Sequence, residues 1–341
     1  MSERAPLPPF PRVACALLAL GPLAQAQQPP APDAGETLRV TTTNVLLPTL
    51  VESAGGQVVY GLTSDGFTVT DNGVPQTIHV DDDLDTTPVS LVICLERGRS
   101  SEIQFAKFAR LAPLVEQFLG TGNGEVALVE FDSKTVYREA FTRDTSLLDQ
   151  DLQELRPGDG GAAILDAVGT SIDLLEHRPP ERRRILLLLS ESRDHGSKDL
   201  TAAELVERIG TSNTLVLSLT WSPAKAEMLD QLAHGGGNLV ELLPMAVQAM
   251  RSNVARSLAV MSGGEYMAFT RQRGFEDRIL EMASHARNRY LLSFRPTDPT
   301  PGLHTLSVKL NVDANARVVA RTSYWAVVGA GTAQHNGPAQ R

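Results

Sequence analysis

Two polar segments that follow apolar runs hold the side chains best suited to chemistry: Glu96-Arg97-Gly98-Arg99-Ser100, and Ser190-Glu191-Ser192 leading to Asp194 and His195. A carboxylate pair such as Glu96 and Glu191 could serve a hydrolase as acid and base, with His195 as a further proton carrier near neutral pH. A histidine in a surface loop is far more often solvated than catalytic, and His195 is read that way. Walker A, His-Glu-x-x-His and Gly-x-Ser-x-Gly patterns are absent. Gly158-x-Gly160-x-x-Ala163 matches a relaxed dinucleotide fingerprint, but residues 147–155 before it have helical spacing where a strand is required. The 7 histidines are scattered, with none at metal-ligand spacing from another histidine or a cysteine. Asp81-Asp82-Asp83 and Asp85 lack the spacing and glycine of a calcium loop and read as a solvated linker, and Gly235-Gly236-Gly237 reads as a flexible turn.

The chain that must position these groups has 341 residues, 42% hydrophobic and 21% charged, which excludes a disordered tail, a collagen-like repeat and a disulfide-stapled miniprotein. Its net charge of −9, from 31 basic against 40 acidic residues, argues against a general grip on nucleic acid. Arg4 and Arg12 precede an apolar stretch over 13–23 that ends in Ala24-Gln25-Ala26, the pattern of a secretory leader cut after Ala26. That stretch is too short for a bilayer span, which needs about 20 residues, so no transmembrane segment is expected. Loss of the leader removes Cys15 and leaves Cys94, whose flanks Val92, Ile93 and Leu95 mark a buried structural thiol. The expected location is the periplasm or the extracellular space.

Residues 27–36 are a Pro, Ala and Gln spacer. A β module is expected over 37–87, with runs at 40–47, 58–62, 67–70 and 76–80 and a hairpin at Asn72-Gly73, because both residues tolerate positive φ. From 88 to 288 apolar runs alternate with amphipathic stretches, the signature of a doubly wound, mostly parallel α/β sheet covered on both faces. Strands are expected at 89–95, 125–131, 135–139, 185–189, 214–219 and 265–269. Helices are expected at 163–175, 200–209, 247–260 and 275–286, and one near 103–118 is shortened or kinked by Pro113. Alternation returns at 290–294, 303–312 and 318–325, giving a closing β segment over 289–327 with Asp313-Ala314-Asn315 as a turn, before a Gly- and Ala-rich tail at 328–341. Similar alternation suggests that 40–47 or 76–80 pairs with 303–312.

Several separate stretches, in order, give the chain its likeness to a known family. They are Gly61-Leu62-Thr63-Ser64-Asp65-Gly66-Phe67 with Asp71-Asn72-Gly73-Val74-Pro75-Gln76, the strand and loop ending in Arg97-Gly98-Arg99-Ser100, residues 126–131, Phe141-Thr142, Gly160-Gly161-Ala162-Ala163 with Asp166, Ser262-Gly263-Gly264, and 290–296. Over residues 38–325 the chain resembles bacterial secreted proteins with a von Willebrand factor type A (VWFA) related domain flanked by β segments. The resemblance implies an adhesion site for Mg²⁺ at the strand ends, built from an Asp-x-Ser-x-Ser loop, a threonine and an aspartate. Carried over, these positions hold Glu96, Gly98, Ser100, Ala162 and Glu191, so two hydroxyls are lost and two carboxylates are lengthened. Glu96, Ser100 and Glu191 are the candidate ligands of a degenerate site, with Asp159 and Asp194 as reserves. A small octahedral ion at about 2.1 Å fits such a set poorly, so no cofactor is expected.

Arg97, Arg99, Asp194 and His195 are the candidate partner-binding residues. The two arginines either pair with Glu96 and Glu191, reach a partner's acids, or stand solvated. The expected function is a secreted protein-binding or adhesion module, not an enzyme, that meets a protein partner through the strand-end face without a normal metal site. The alternatives are a structural scaffold in an envelope assembly and a hydrolase using Glu96 and Glu191.

Overall fold

The computed structural model describes residues 44–81, 87–120, 122–221, 242–298, 300–311 and 316–327. The leader, the spacer, the remainder of the acidic run after Asp81, Gly235-Gly236-Gly237, the turn at 313–315 and the tail lie outside the described residues. The chain begins with β1 (Val45–Ser53), β2 (Phe67–Asp71), β3 (Val74–Pro75) and β4 (Ile78–Asp81). A long α/β stretch follows: β5 (Val89–Glu96), α1 (Phe105–Phe108), α2 (Ala112–Leu119), β6 (Glu125–Phe131), β7 (Thr135–Thr142), α3 (Thr145–Gln153), α4 (Ile164–Glu176), β8 (Arg183–Ser190), α5 (Ala202–Thr211) and β9 (Thr214–Trp221). It ends with α6 (Leu242–Ser252), α7 (Val254–Ser262), β10 (Tyr266–Phe269) and α8 (Gln272–Arg287), and β11 (Tyr290–Phe294), β12 (Gly302–Leu310), β13 (Ala316–Val319) and β14 (Ser323–Ala326) close the chain.

The α/β body is the doubly wound sheet that the alternation predicts. Its strand order is β10-β9-β8-β5-β6-β7, all parallel except the edge strand β7, which returns antiparallel beside β6. Counted within the body, this is the order 3-2-1-4-5-6, with a switch in winding direction between β5 and β8. Side chains alternate across β5: Leu91, Ile93 and Leu95 join one core with Phe108, Phe118 and Phe275, while Val92 and Cys94 join the other with Val168, Leu205 and Leu258. Both faces are covered, so the strand reads as an unbroken apolar run. Each fully buried Leu or Ile there contributes roughly 1.5–3 kcal/mol.

Helix boundaries differ from the periodicity at two places. Pro113 lies in the first turn of α2, where its missing N–H has no partner to lose, and residues 99–104 ahead of α1 form a 3₁₀ segment. The expected helix over 247–260 is two helices, because the Asn253 side chain accepts from the Arg256 N–H and caps α7.

The β segments at the two ends form a sandwich into which the α/β body is inserted. One sheet runs β13-β1-β11-β4 and the other β14-β12-β2-β3, with Leu47, Phe67, Leu292, Leu306 and Tyr324 in the shared core. Asn72 (φ 48°) and Gly73 (φ 83°) form the tight turn between β2 and β3. The pairing differs from the expected one: β12 pairs with β2 and β14, while β1 and β4 flank β11. The run at 58–62 is no strand and makes a single bridge, Val58 to Glu52. Residues 40–43 of the expected run at 40–47 lie outside the described residues, and β1 runs on through Pro48 to Ser53. It pairs with β11 over residues 45–49 and with β13 only from Leu50 onward, so Pro48 has a ladder partner on one side alone.

The two bodies interlock. Buried Arg321, from the sandwich, donates to the carbonyls of Ile209 (2.9 Å) and Gly210 at the end of α5 and to that of Ser323 (2.7 Å). Gly210 is glycine for lack of room, since an added Cβ would lie 2.7 Å from the Cβ of Trp325.

Candidate functional site

The crevice at the switch point between β5 and β8 holds the chemistry-bearing residues, as open α/β sheets favour. Glu96 is the last residue of β5 and fully buried. Its Oε2 accepts from the Glu191 backbone N–H at 2.8 Å and its Oε1 from the Ser100 hydroxyl at 3.1 Å. Burial pushes this carboxyl up to about 7, against the two hydrogen bonds and with the Glu191 charge adding to the rise. Burial also raises the Glu191 carboxyl, and His195, with Nδ1 at 3.3 Å from Glu191 Oε1, opposes that. The His195 ring is 51% exposed, and its Nε2 lies 3.2 Å from the Gly160 carbonyl.

Close loop packing explains the missing hydroxyl at Gly98. Arg99 N–H donates to the Asp159 carbonyl (2.8 Å) and Gly158 N–H to that of Arg97 (2.7 Å), drawing 96–100 against 158–162. A Cβ on Gly98 would lie 2.7 Å from the Gly161 carbonyl oxygen, so a serine cannot stand there without a backbone shift. Ala162 is buried and forms a two-bond bridge with His195, at 3.1 and 3.0 Å.

The remaining expected residues are placed as follows. Arg97 does not pair with Glu96 or Glu191; its guanidinium lies 3.0 Å from Asp132 and 3.8 Å from Glu130. Asp194 faces inward, accepting from Leu165 N–H (3.1 Å) in the first turn of α4 and from the Ser197 hydroxyl (2.5 Å). Asp159 accepts from Ser133 N–H, the Ser133 hydroxyl and Gly161 N–H, and the Ser133 hydroxyl bond leads in holding its carboxyl below the usual range. Both reserve carboxylates are thus engaged by bonds within the protein, to the β6–β7 hairpin and to the start of α4 among others. Arg99 and His195 are exposed. Two features escaped the reading of single residues. Asp166 accepts from the N–H groups of Lys198, Asp199 and Leu200 and so shapes the loop after β8, and Ile103 is 78% exposed beside the first loop. An acid in the first turn of a helix is a signal for the former.

This donor set does not fit an octahedral cation. Each oxygen of Glu96 already accepts a hydrogen bond, and the positions where hydroxyls would be needed carry Gly98 and Ala162. Among the described residues, no three His, Cys, Asp or Glu side chains gather into a metal-binding group.

No family model matches the sequence, and no curated protein matches it. Solved structures do match. An aerotolerance-related membrane protein from Bacteroides fragilis is 16% identical, over 57% of this chain and 98% of its own, at a TM-score of 0.38. The vWF domain of the type V pili tip protein Mfa5 from Porphyromonas gingivalis is 19% identical, over 35% and 43%, at 0.30. The SpRpn10 VWA domain is 10% identical, over 56% and 93%, at 0.35. Scores this low leave the fold resting on its own strand order, that of a doubly wound, mostly parallel α/β body with one antiparallel edge strand.

Proposed function

We propose that the strand-end face of the α/β body is a protein-docking surface that works without a divalent ion, in a protein exported from the cytoplasm. The observation that carries this reading is the inward engagement of the Glu96 carboxyl by Ser100 and by the Glu191 amide, together with Gly98 and Ala162 at the positions where the resemblance places hydroxyl ligands. The loops at this face expose Arg99, Arg193 and Lys198 and the aliphatic side chain of Ile103, a combination suited to a mixed polar and apolar contact. A binding role fits this arrangement better than hydrolysis, because the Glu96 carboxyl is fully buried and held by the Glu191 backbone amide.

The test places a photo-activatable side chain at Ile103 and, as a control on the sandwich, at exposed Tyr60, in cells that produce the full chain. Crosslinked protein adducts at position 103 that persist in EDTA support the reading. Adducts that vanish with EDTA overturn its metal-free part. Adducts at position 60 alone transfer the contact to the β segments and favour the scaffold reading.

A further inference from the structure

Away from the strand-end face, a buried charged cluster joins the two bodies. His285 lies on α8 of the α/β body and is buried. Its Nδ1 is 2.9 Å from Glu265 Oε1, just ahead of β10, and its Nε2 is 3.6 Å from Glu52 Oε1, on β1 of the sandwich. Buried Arg289, in the link from α8 to β11, reaches Glu265 Oε2 at 2.9 Å and donates to the Gly263 carbonyl. Arg317 of β13 lies 3.9 Å from Glu52 but is 73% exposed, so solvent screens that pair. Glu52 Oε2 is buried with no hydrogen-bond partner.

We propose that His285 is a proton-operated clamp, tying the α/β body to the sandwich when its ring carries both protons and slackening when it carries one. A doubly protonated ring offers an N–H to each carboxylate, whereas the neutral ring has one N–H and must turn a lone pair toward the other acid. With Nδ1–H given to Glu265, the neutral ring leaves Glu52 facing that lone pair, with the charge of buried Arg289, which is already bonded to Glu265, and screened Arg317 as its remaining counter-charges. The groups facing the ring support this. The hydrogen bond to Glu265 leads in raising the His285 ring above its ordinary 6.5, burial opposes, and the charges of Glu265, Glu52 and Glu281 add to the rise. Burial pushes the Glu265 carboxyl up, but the His285 bond and Arg289 outweigh it and hold it low. The sign follows: the clamp's stabilisation is fully present below pH 6.5 and is lost as pH rises through the elevated folded value.

The clamp does not depend on the docking reading. Its test is a double-mutant cycle of His285→Gln and Glu52→Gln in the full chain, by urea unfolding at pH 6.0 and 8.5, with hydrogen exchange of the β1 and β11 amides. The expected result is a His285–Glu52 coupling of about fivefold or more in the folding equilibrium at pH 6.0, falling below about twofold at pH 8.5. Exchange in β1 should quicken with pH in the wild type and lose that dependence in His285→Gln. Equal coupling at both pH values overturns the proposal. Where the glutamine variant fails to fold, an imidazole ¹⁵N titration of the wild type decides: a midpoint at or below 6.5 is incompatible with the clamp.

Discussion

Replacing Glu96 by glutamine should make the protein more stable at alkaline pH and change it little in acid. The carboxyl is fully buried and is lifted from 4.5 to about 7, so the fold prefers its protonated form. Stability that depends on that proton is fully present below pH 4.5 and is lost as pH rises through about 7. Held between those two values, ionisation of the folded state costs about 1 kcal/mol at pH 5 and about 3 kcal/mol at pH 8. Glutamine keeps an acceptor for the Glu191 N–H, and its amide can donate to the Ser100 hydroxyl, which accepts as readily as it gives. Urea unfolding of the full chain, followed by tryptophan fluorescence, should place the variant within about 1 kcal/mol of the wild type at pH 5 and about 2–3 kcal/mol above it at pH 8. A variant no more stable than the wild type at pH 8 would refute the reasoning, because the buried carboxyl would then bear no ionisation cost. Glu96→Ala is the contrasting control: it strands the Glu191 amide and should lose stability at pH 5, a loss offset at pH 8 by removal of the same ionisation cost.

Two further outcomes follow from packing and turn geometry. Phe275→Ala empties a fully buried site between Phe108 and Phe269, whose ring centroids lie 5.9 and 5.1 Å away, and should cost about 3–5 kcal/mol by chemical denaturation. Asn72→Ala keeps a positive φ without the amide that accepts from Thr305 N–H at 3.0 Å, and thermal unfolding should show a loss of about 1–3 kcal/mol.

The α/β body was legible because its central strands are buried on both sides. Runs such as Val89–Glu96 and Arg183–Ser190 have no competing reading, and the helices between them carry clear periodicity. The sandwich was harder, since its strands pair across the whole insertion and the Pro48 in β1 looks like a strand end until both neighbours are known. At the site, the positions of Glu96, Ser100 and Glu191 could be read, because they follow apolar strands. The directions of side chains could not. Arg97 reaches for Asp132 on the neighbouring hairpin, and Asp194 for the first turn of α4, and both choices are made by tertiary neighbours that no local pattern announces.

The insertion also fixes an order of events during synthesis. The first sandwich strands leave the ribosome early, yet the residues that complete their core arrive last; Tyr324 bonds Asp71 across 253 positions of chain. The α/β body contains all its own sheet partners and can close while the rest is still being made. Meanwhile Leu47, Phe67 and Val69 wait uncovered, with the free ladder edges of β1 and β2 beside them. A nascent chain stalled within the insertion would therefore carry a sticky, half-built sheet at its front, and the hazard ends only when β11 and β12 emerge to cover it.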